Sequence, residues 1–133
     1  MDIKSSKTLV NEALNHIETL EPTEVLKLYN NKKCTLIDIR DIRELWNEGM
    51  VKDSLHIPRG MLEFWLDPDS PYFKKEKSSA DEKKLILFCA GGLRSALATK
   101  TLKDMGFKNV SHIKGGFAAM KINGFAVVEK KKE

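Results

Sequence analysis

Cys89 closes the most apolar run of the chain, Leu85-Ile86-Leu87-Phe88, and is followed by Ala90-Gly91-Gly92-Leu93 and then Arg94-Ser95. The run reads as a buried parallel strand, and residues 94–105 as a helix with Gly106 as its C-cap. A cysteine at the carboxyl end of such a strand, just ahead of a helix N-terminus, occupies the usual ligand position of an open α/β sheet. The two glycines let successive backbone N–H groups curl inward into an anion-binding nest, reinforced by the positive end of the following helix. A thiol centred there titrates below its free value of about 8.5, and the thiolate is the nucleophile. Arg94 adds a fixed positive charge and a planar donor fork at the rim. A core cysteine beside an ordinary turn is the competing reading. The Cys-x-Gly-Gly-x-Arg-Ser setting between strand and helix favours nucleophilic chemistry.

These residues need a scaffold of alternating strands and helices. Val10, Ala13, Leu14 and Ile17 fall at helical spacing, which predicts an amphipathic helix over 7–19 with Ser6 as its cap. Its apolar face is expected to pack within the monomer rather than on a partner. Pro22 sits where a first-turn proline is tolerated, and Val25, Leu26 and Tyr29 continue a second short helix. Residues 35–39 predict a strand, 41–48 a charged helix, and 54–57 a short strand stopped by Pro58. Residues 66–84, rich in Pro, Asp, Ser and Lys, predict a long surface loop. Residues 109–113 predict another strand, which Gly115-Gly116 turns into a last short helix. Strands alternating with helices on short links predict a parallel α/β sheet.

Composition narrows the class. A chain of 133 residues is long enough for one compact domain, which buries about two-thirds of its unfolded surface without disulfide or metal staples. Hydrophobic residues at 41%, charged residues at 32% and a mean hydropathy of −0.37 are those of an ordinary globular protein. No apolar run approaches the roughly 20 residues of a membrane span. Residues 1–6 carry no apolar signal segment, so a secretory leader is not expected. Two cysteines and no Cys-x-x-Cys or Cys/His cluster predict neither a disulfide framework nor a metal site. A reducing, cytoplasmic setting is the expectation. Residues 94–133 carry nine Lys or Arg against three Asp or Glu. Without interleaved aromatics for base stacking, that excess does not predict nucleic-acid binding.

Four blocks, in order, resemble a single rhodanese (sulfurtransferase) domain over roughly residues 21–127. They are Leu36-Ile37-Asp38-Ile39-Arg40 with Glu44 beyond it, Ser54-Leu55-His56-Ile57-Pro58, the loop from Cys89 to Arg94, and Gly115-Gly116-Phe117. The resemblance implies a three-layer α/β fold, with a mostly parallel sheet flanked by helices on both faces. It leaves residues 1–20 as a helical extension and 128–133 as a charged tail. It also implies the chemistry: the Cys89 thiolate takes a sulfane sulfur from an anionic donor such as thiosulfate, and a thiol or cyanide accepts it. The amides of Ala90, Gly91, Gly92, Leu93, Arg94 and Ser95 are then expected to hold the donor and the persulfide, with Arg94 on the donor's sulfonate end. No metal or cofactor is expected. A protein-binding or sulfur-relay module is the main alternative. Phosphatase or arsenate-reductase relatives use a Cys-x5-Arg loop, whereas Cys89 and Arg94 form a shorter Cys-x4-Arg ring, which suits one sulfur better than a tetrahedral phosphate.

Around this centre, Asp38 and Arg40 read either as an ion pair buried at the base of the loop or as an exposed pair, and the resemblance implies a structural role near the site. Met61 and Trp65 are expected either to pack the core or to wall a donor pocket, and Arg59 either to add charge at its mouth or to stay solvated. His56 reads as a satisfied core histidine. His16 and His112 show no spacing that suggests ligation. Cys34 starts a strand, which places it at the end of the sheet away from Cys89 and gives it a structural role.

Overall fold

The computed structural model describes residues 2–77 and 83–133. Three strands make the middle of the main sheet: β2 (Cys34–Asp38), β5 (Lys84–Phe88) and β6 (Val110–Ile113). Strand β1 (Glu18–Leu20) pairs with β6 at one edge, and β4 (Leu55–His56) pairs with β2 at the other. The order is β1-β6-β5-β2-β4, and every pairing is parallel. A separate antiparallel pair joins β3 (Met50–Val51) to β7 (Val127–Val128).

Parallel strands need helical crossovers, and these cover both faces. Successive side chains of a strand point to opposite faces, so β5 serves two cores. Leu85 and Leu87 join Ile37, Ile39, Leu62, Ala98 and Leu102, under α4 (Leu62–Leu66) and α5 (Leu93–Met105). Ile86 and Phe88 join Val25, Leu36, Phe117 and Met120, under α2 (Pro22–Asn30) and α6 (Gly116–Ile122). Fully burying each of the larger of these side chains contributes about 1.5–3 kcal/mol. Helix α1 (Ser6–Leu14) packs on α5 through its buried Val10 and Ala13. The layered α/β architecture is the one expected.

Helix α3 (Ile42–Glu48) starts with a capping box that later fixes a site residue. Asp41 Oδ1 accepts from the Arg43 N–H at 2.9 Å, and Glu44 Oε2 accepts from the Asp41 N–H at 3.0 Å. Such reciprocal bonds satisfy two of the first-turn donors that have no partner inside the helix.

Several expectations are corrected. The predicted helix over 7–19 ends at Leu14, and its cap is Ser5 rather than Ser6: Ser5 Oγ accepts from the Thr8 N–H at 3.0 Å. Residues 18–20 are strand, because the open edge of β6 offers them a ladder, and tertiary pairing overrides a helical spacing. The segment before residue 21 is therefore part of the sheet rather than wholly a helical extension. At the other end, Val128 pairs with Met50, and Lys132 Nζ lies 5.1 Å from the centre of the Trp46 ring. The expected loop over 66–84 is interrupted by a 3-10 turn (Lys75–Lys77), and its residues 78–82 lie outside the described residues.

Candidate active site

Cys89 leaves β5 where the strand ends, and its side chain is 1% exposed. Gly92, with φ +108°, adopts the left-handed conformation that a side chain disfavours, and this turns the loop back over the sulfur. The Gly92 N–H then donates to Cys89 Sγ at 3.1 Å and the Ser95 N–H at 3.4 Å, while Ser95 Oγ lies 3.6 Å away. Burial pushes the Cys89 thiol up. Against it, the Ser95 N–H and hydroxyl and the N–H groups of Gly92 and Gly91 push it down, and the result lies below an ordinary thiol. Hydrogen bonds to the charged form have outweighed desolvation.

The loop is held from beneath by the start of α6. The Phe117 N–H donates to the Cys89 carbonyl at 2.8 Å and the Ala118 N–H to the Ala90 carbonyl at 3.2 Å. This approach requires glycine at 116, because a Cβ there would lie 2.8 Å from the Ala90 carbonyl carbon.

Asp38 and Arg40 form a fully buried ion pair, with both side chains 0% exposed. Arg40 Nε and Nη2 donate to the carboxylate at 2.8–3.2 Å, and Nη2 also donates to the Gly49 carbonyl at 2.9 Å. The guanidinium carbon lies 4.0 Å from the centre of the Phe117 ring. The pair thus braces the residue whose amide holds the Cys89 carbonyl. His56 is half-buried and bonds the Arg40 carbonyl oxygen at 2.7 Å, a structural role as expected.

At the rim, Arg94 is engaged by Glu44, with Nη1 and Nη2 donating to its two oxygens at 2.9 and 3.0 Å. Leu93 is 67% exposed. Arg59 pairs with Glu63 at 2.7 Å, one turn along, so its charge is compensated locally. Met61 is half-buried at the start of α4. Trp65 packs on the core beneath α4 and α5 and carries Lys74 Nζ 4.0 Å from its ring centre, which favours its packing role. Cys34 lies at the far end of β2, where burial pushes its thiol up to about 11.

One residue of the site was not singled out by spacing. His112 on β6 is 2% exposed. Its Nδ1 lies 2.9 Å from Ser95 Oγ and its Nε2 2.9 Å from Thr19 Oγ1 on β1. Thr19, His112 and Leu87 occupy adjacent register positions, so the face that carries Leu87 and then Cys89 also carries His112. The only sequence signal is a histidine within a short strand, Val110-Ser111-His112-Ile113. Among the described residues, no group of three or more His, Cys, Asp or Glu side chains could hold a metal ion, and no helix is long and apolar enough to cross a membrane.

A family model, the Rhodanese-like domain, matches residues 21–123. The chain belongs to the rhodanese family. Among curated relatives it is similar to a tRNA uridine(34) hydroxylase of Prochlorococcus marinus, 31% identical over 80% of this chain and 34% of the relative. It is also similar to the thiosulfate sulfurtransferase/rhodanese-like domain-containing protein 3 of Mus musculus, 30% identical over 71% of this chain and 62% of the relative. The chain spans only 26–34% of the length of the first curated relatives it matches. Among solved structures, a Rhodopseudomonas palustris protein of unknown function, described as a possible tyrosine phosphatase, is 42% identical with a TM-score of 0.89, covering 96% of this chain and 97% of that one. The polysulfide-sulfur transferase homodimer of Wolinella succinogenes is 35% identical with a TM-score of 0.71, covering 93% and 87%. A rhodanese domain supports sulfurtransferase-type chemistry.

Proposed function

We propose that this rhodanese is a sulfurtransferase whose Cys89 carries the sulfur as a persulfide. One observation carries this function: Cys89 Sγ sits inside a Cys-x4-Arg loop with the N–H groups of Gly92 and Ser95 on it at 3.1 and 3.4 Å. Backbone donors aimed at a sulfur stabilise negative charge without a metal or a cofactor. With thiosulfate as donor, the thiolate attacks the outer sulfur, forming the Cys89 S–S bond while the donor's own S–S bond breaks and sulfite leaves with the electron pair. Cyanide or a thiolate then attacks the outer persulfide sulfur, leaving as thiocyanate or a new persulfide and returning the Cys89 thiolate. A cytoplasmic setting, where thiols stay reduced, suits this cycle.

The Glu44 carboxylate on Arg94 favours a second reading within the same chemistry. A cation already paired on both terminal nitrogens is a weaker anchor for a free dianion, so a protein-borne persulfide is a competing donor, with the domain acting as a sulfur relay. The loop length argues against phosphate monoesters as substrates.

Intact mass after incubation with thiosulfate, then with cyanide, tests the proposal. A gain of one sulfur that cyanide removes, and that Cys89→Ser abolishes, is expected. Uptake from a protein persulfide but not from thiosulfate selects the relay. No uptake from thiosulfate, mercaptopyruvate, polysulfide or a protein persulfide by a folded protein overturns both.

A further inference from the structure

We propose that His112 is a positioning residue for the nucleophile: held by Thr19, its ring directs the Ser95 hydroxyl hydrogen onto the Cys89 sulfur. The inference rests on Cys89 being the nucleophile, and three contacts carry it. Thr19 Oγ1 and Ser95 Oγ flank the two ring nitrogens at 2.9 Å each, and Ser95 Oγ lies 3.6 Å from Cys89 Sγ. Ser95 has one hydroxyl hydrogen and three acceptors within reach, because the Gly92 carbonyl is also 3.3 Å away. Where that hydrogen points depends on the histidine.

The ring is buried between β1 and α5, and burial pulls its pKa down to about 4, so at neutral pH it carries a single N–H. With the hydrogen on Nδ1, His112 donates to Ser95 Oγ, Thr19 donates to Nε2, and the Ser95 hydrogen is free to donate to the thiolate. With the hydrogen on Nε2, His112 donates to Thr19, Ser95 donates to Nδ1, and the sulfur loses the Ser95 hydroxyl as a donor. A thiolate on Cys89 therefore favours the first tautomer. Once Sγ is bonded to a second sulfur or an alkyl group its charge is gone, and that preference disappears. Two cations near Cys89 are held by carboxylates: Arg94 of α5 by Glu44 of α3, and, behind Phe117 of α6, Arg40 by Asp38 of β2, while Lys121 of α6 lies 5.1 Å from the Phe117 ring centre. The neutral chain from Thr19 through His112 to Ser95 thus links the edge strand β1 to the reacting sulfur.

The test measures iodoacetamide alkylation of Cys89 against pH, resolved by peptide mass, for the wild type and for Ser95→Ala, His112→Leu, His112→Asn and the Ser95→Ala/His112→Leu double variant. Ser95→Ala and His112→Leu are each expected to raise the midpoint by about one pH unit. The double variant is expected to shift no further than Ser95→Ala, because both changes remove the same hydrogen bond. His112→Asn, whose amide takes the place of Nδ1, is expected to restore most of the midpoint. Ring nitrogen spectra of labelled His112 in the unmutated protein supply a readout independent of variant folding. They are expected to show the Nδ1–H tautomer with Cys89 free and a shift toward Nε2–H after alkylation. A wild-type midpoint in folded His112→Leu, additive shifts in the double variant, or a tautomer unchanged by alkylation overturns the assignment. No sulfur donor is present in either readout, so failure here is distinct from failure of sulfur transfer.

Discussion

Glu44 and Arg94, 50 residues apart in the chain, meet through two parallel hydrogen bonds of 2.9 and 3.0 Å at the rim of the Cys89 loop. Glu44 is not free to leave cheaply, since the same Oε2 accepts the Asp41 N–H in the cap of α3. The carboxylate is held below its usual range by the Arg94 hydrogen bond, against the opposing effect of burial. An anionic donor that uses Arg94 must displace it. Glu44→Gln is therefore expected to lower the KM for thiosulfate about two- to five-fold, the range of a partly exposed ion pair, and to change a neutral donor's KM less. Steady-state kinetics with both donors check this. An unchanged or higher thiosulfate KM shows that Arg94 does not engage the donor.

Gly116→Ala should damage the site through the backbone. The residue sits at φ +57° against the Ala90 carbonyl, so a side chain adds left-handed strain to a steric clash. A loss of about 1–3 kcal/mol is expected, measured by chemical denaturation, together with slower alkylation of Cys89. Wild-type values in both would mean that the α6 N-terminus does not brace the loop.

Asp38→Asn leaves the Arg40 charge buried without its counter-ion, although Nη1 keeps Glu48 at 3.6 Å. Breaking a buried pair costs about 3–5 kcal/mol, whereas replacing both partners by apolar residues of similar volume costs much less. Urea titration of the single and double variants tests this. A single variant that loses under about 1 kcal/mol, by the same scale, shows that the pair is not under electrostatic demand.

His112 makes the fold acid-sensitive. Its folded pKa of about 4 lies below the ordinary 6.5, so the unfolded chain binds a proton that the folded chain refuses. Stability from this group is complete above about pH 6.5 and declines as pH falls towards 4, by about 3 kcal/mol in all. Parallel denaturation curves at pH 7 and 4.5 are expected to show a smaller acid loss for His112→Asn than for wild type. Equal losses place the acid sensitivity elsewhere.

What was legible in the sequence is local. Leu85-Ile86-Leu87-Phe88 announced a strand because four consecutive apolar residues suit an element buried on both faces. Cys89 to Arg94 announced a loop because its glycines, cysteine and arginine lie within one turn of chain. Residues 18–20 give no strand signal because a three-residue edge strand has no pattern of its own, and only the open side of β6 makes it one. Asp38 and Arg40 were visible as a pair, but whether they were buried depended on Phe117 folding over them. Glu44 on Arg94, and Thr19 and His112 behind Ser95, joined the site only through the order of the parallel strands and the start of α5. Chain chemistry is written in neighbouring residues; which distant side chains share a sulfur is decided by packing, because hydrogen bonds act over about 3 Å in space and not along the sequence.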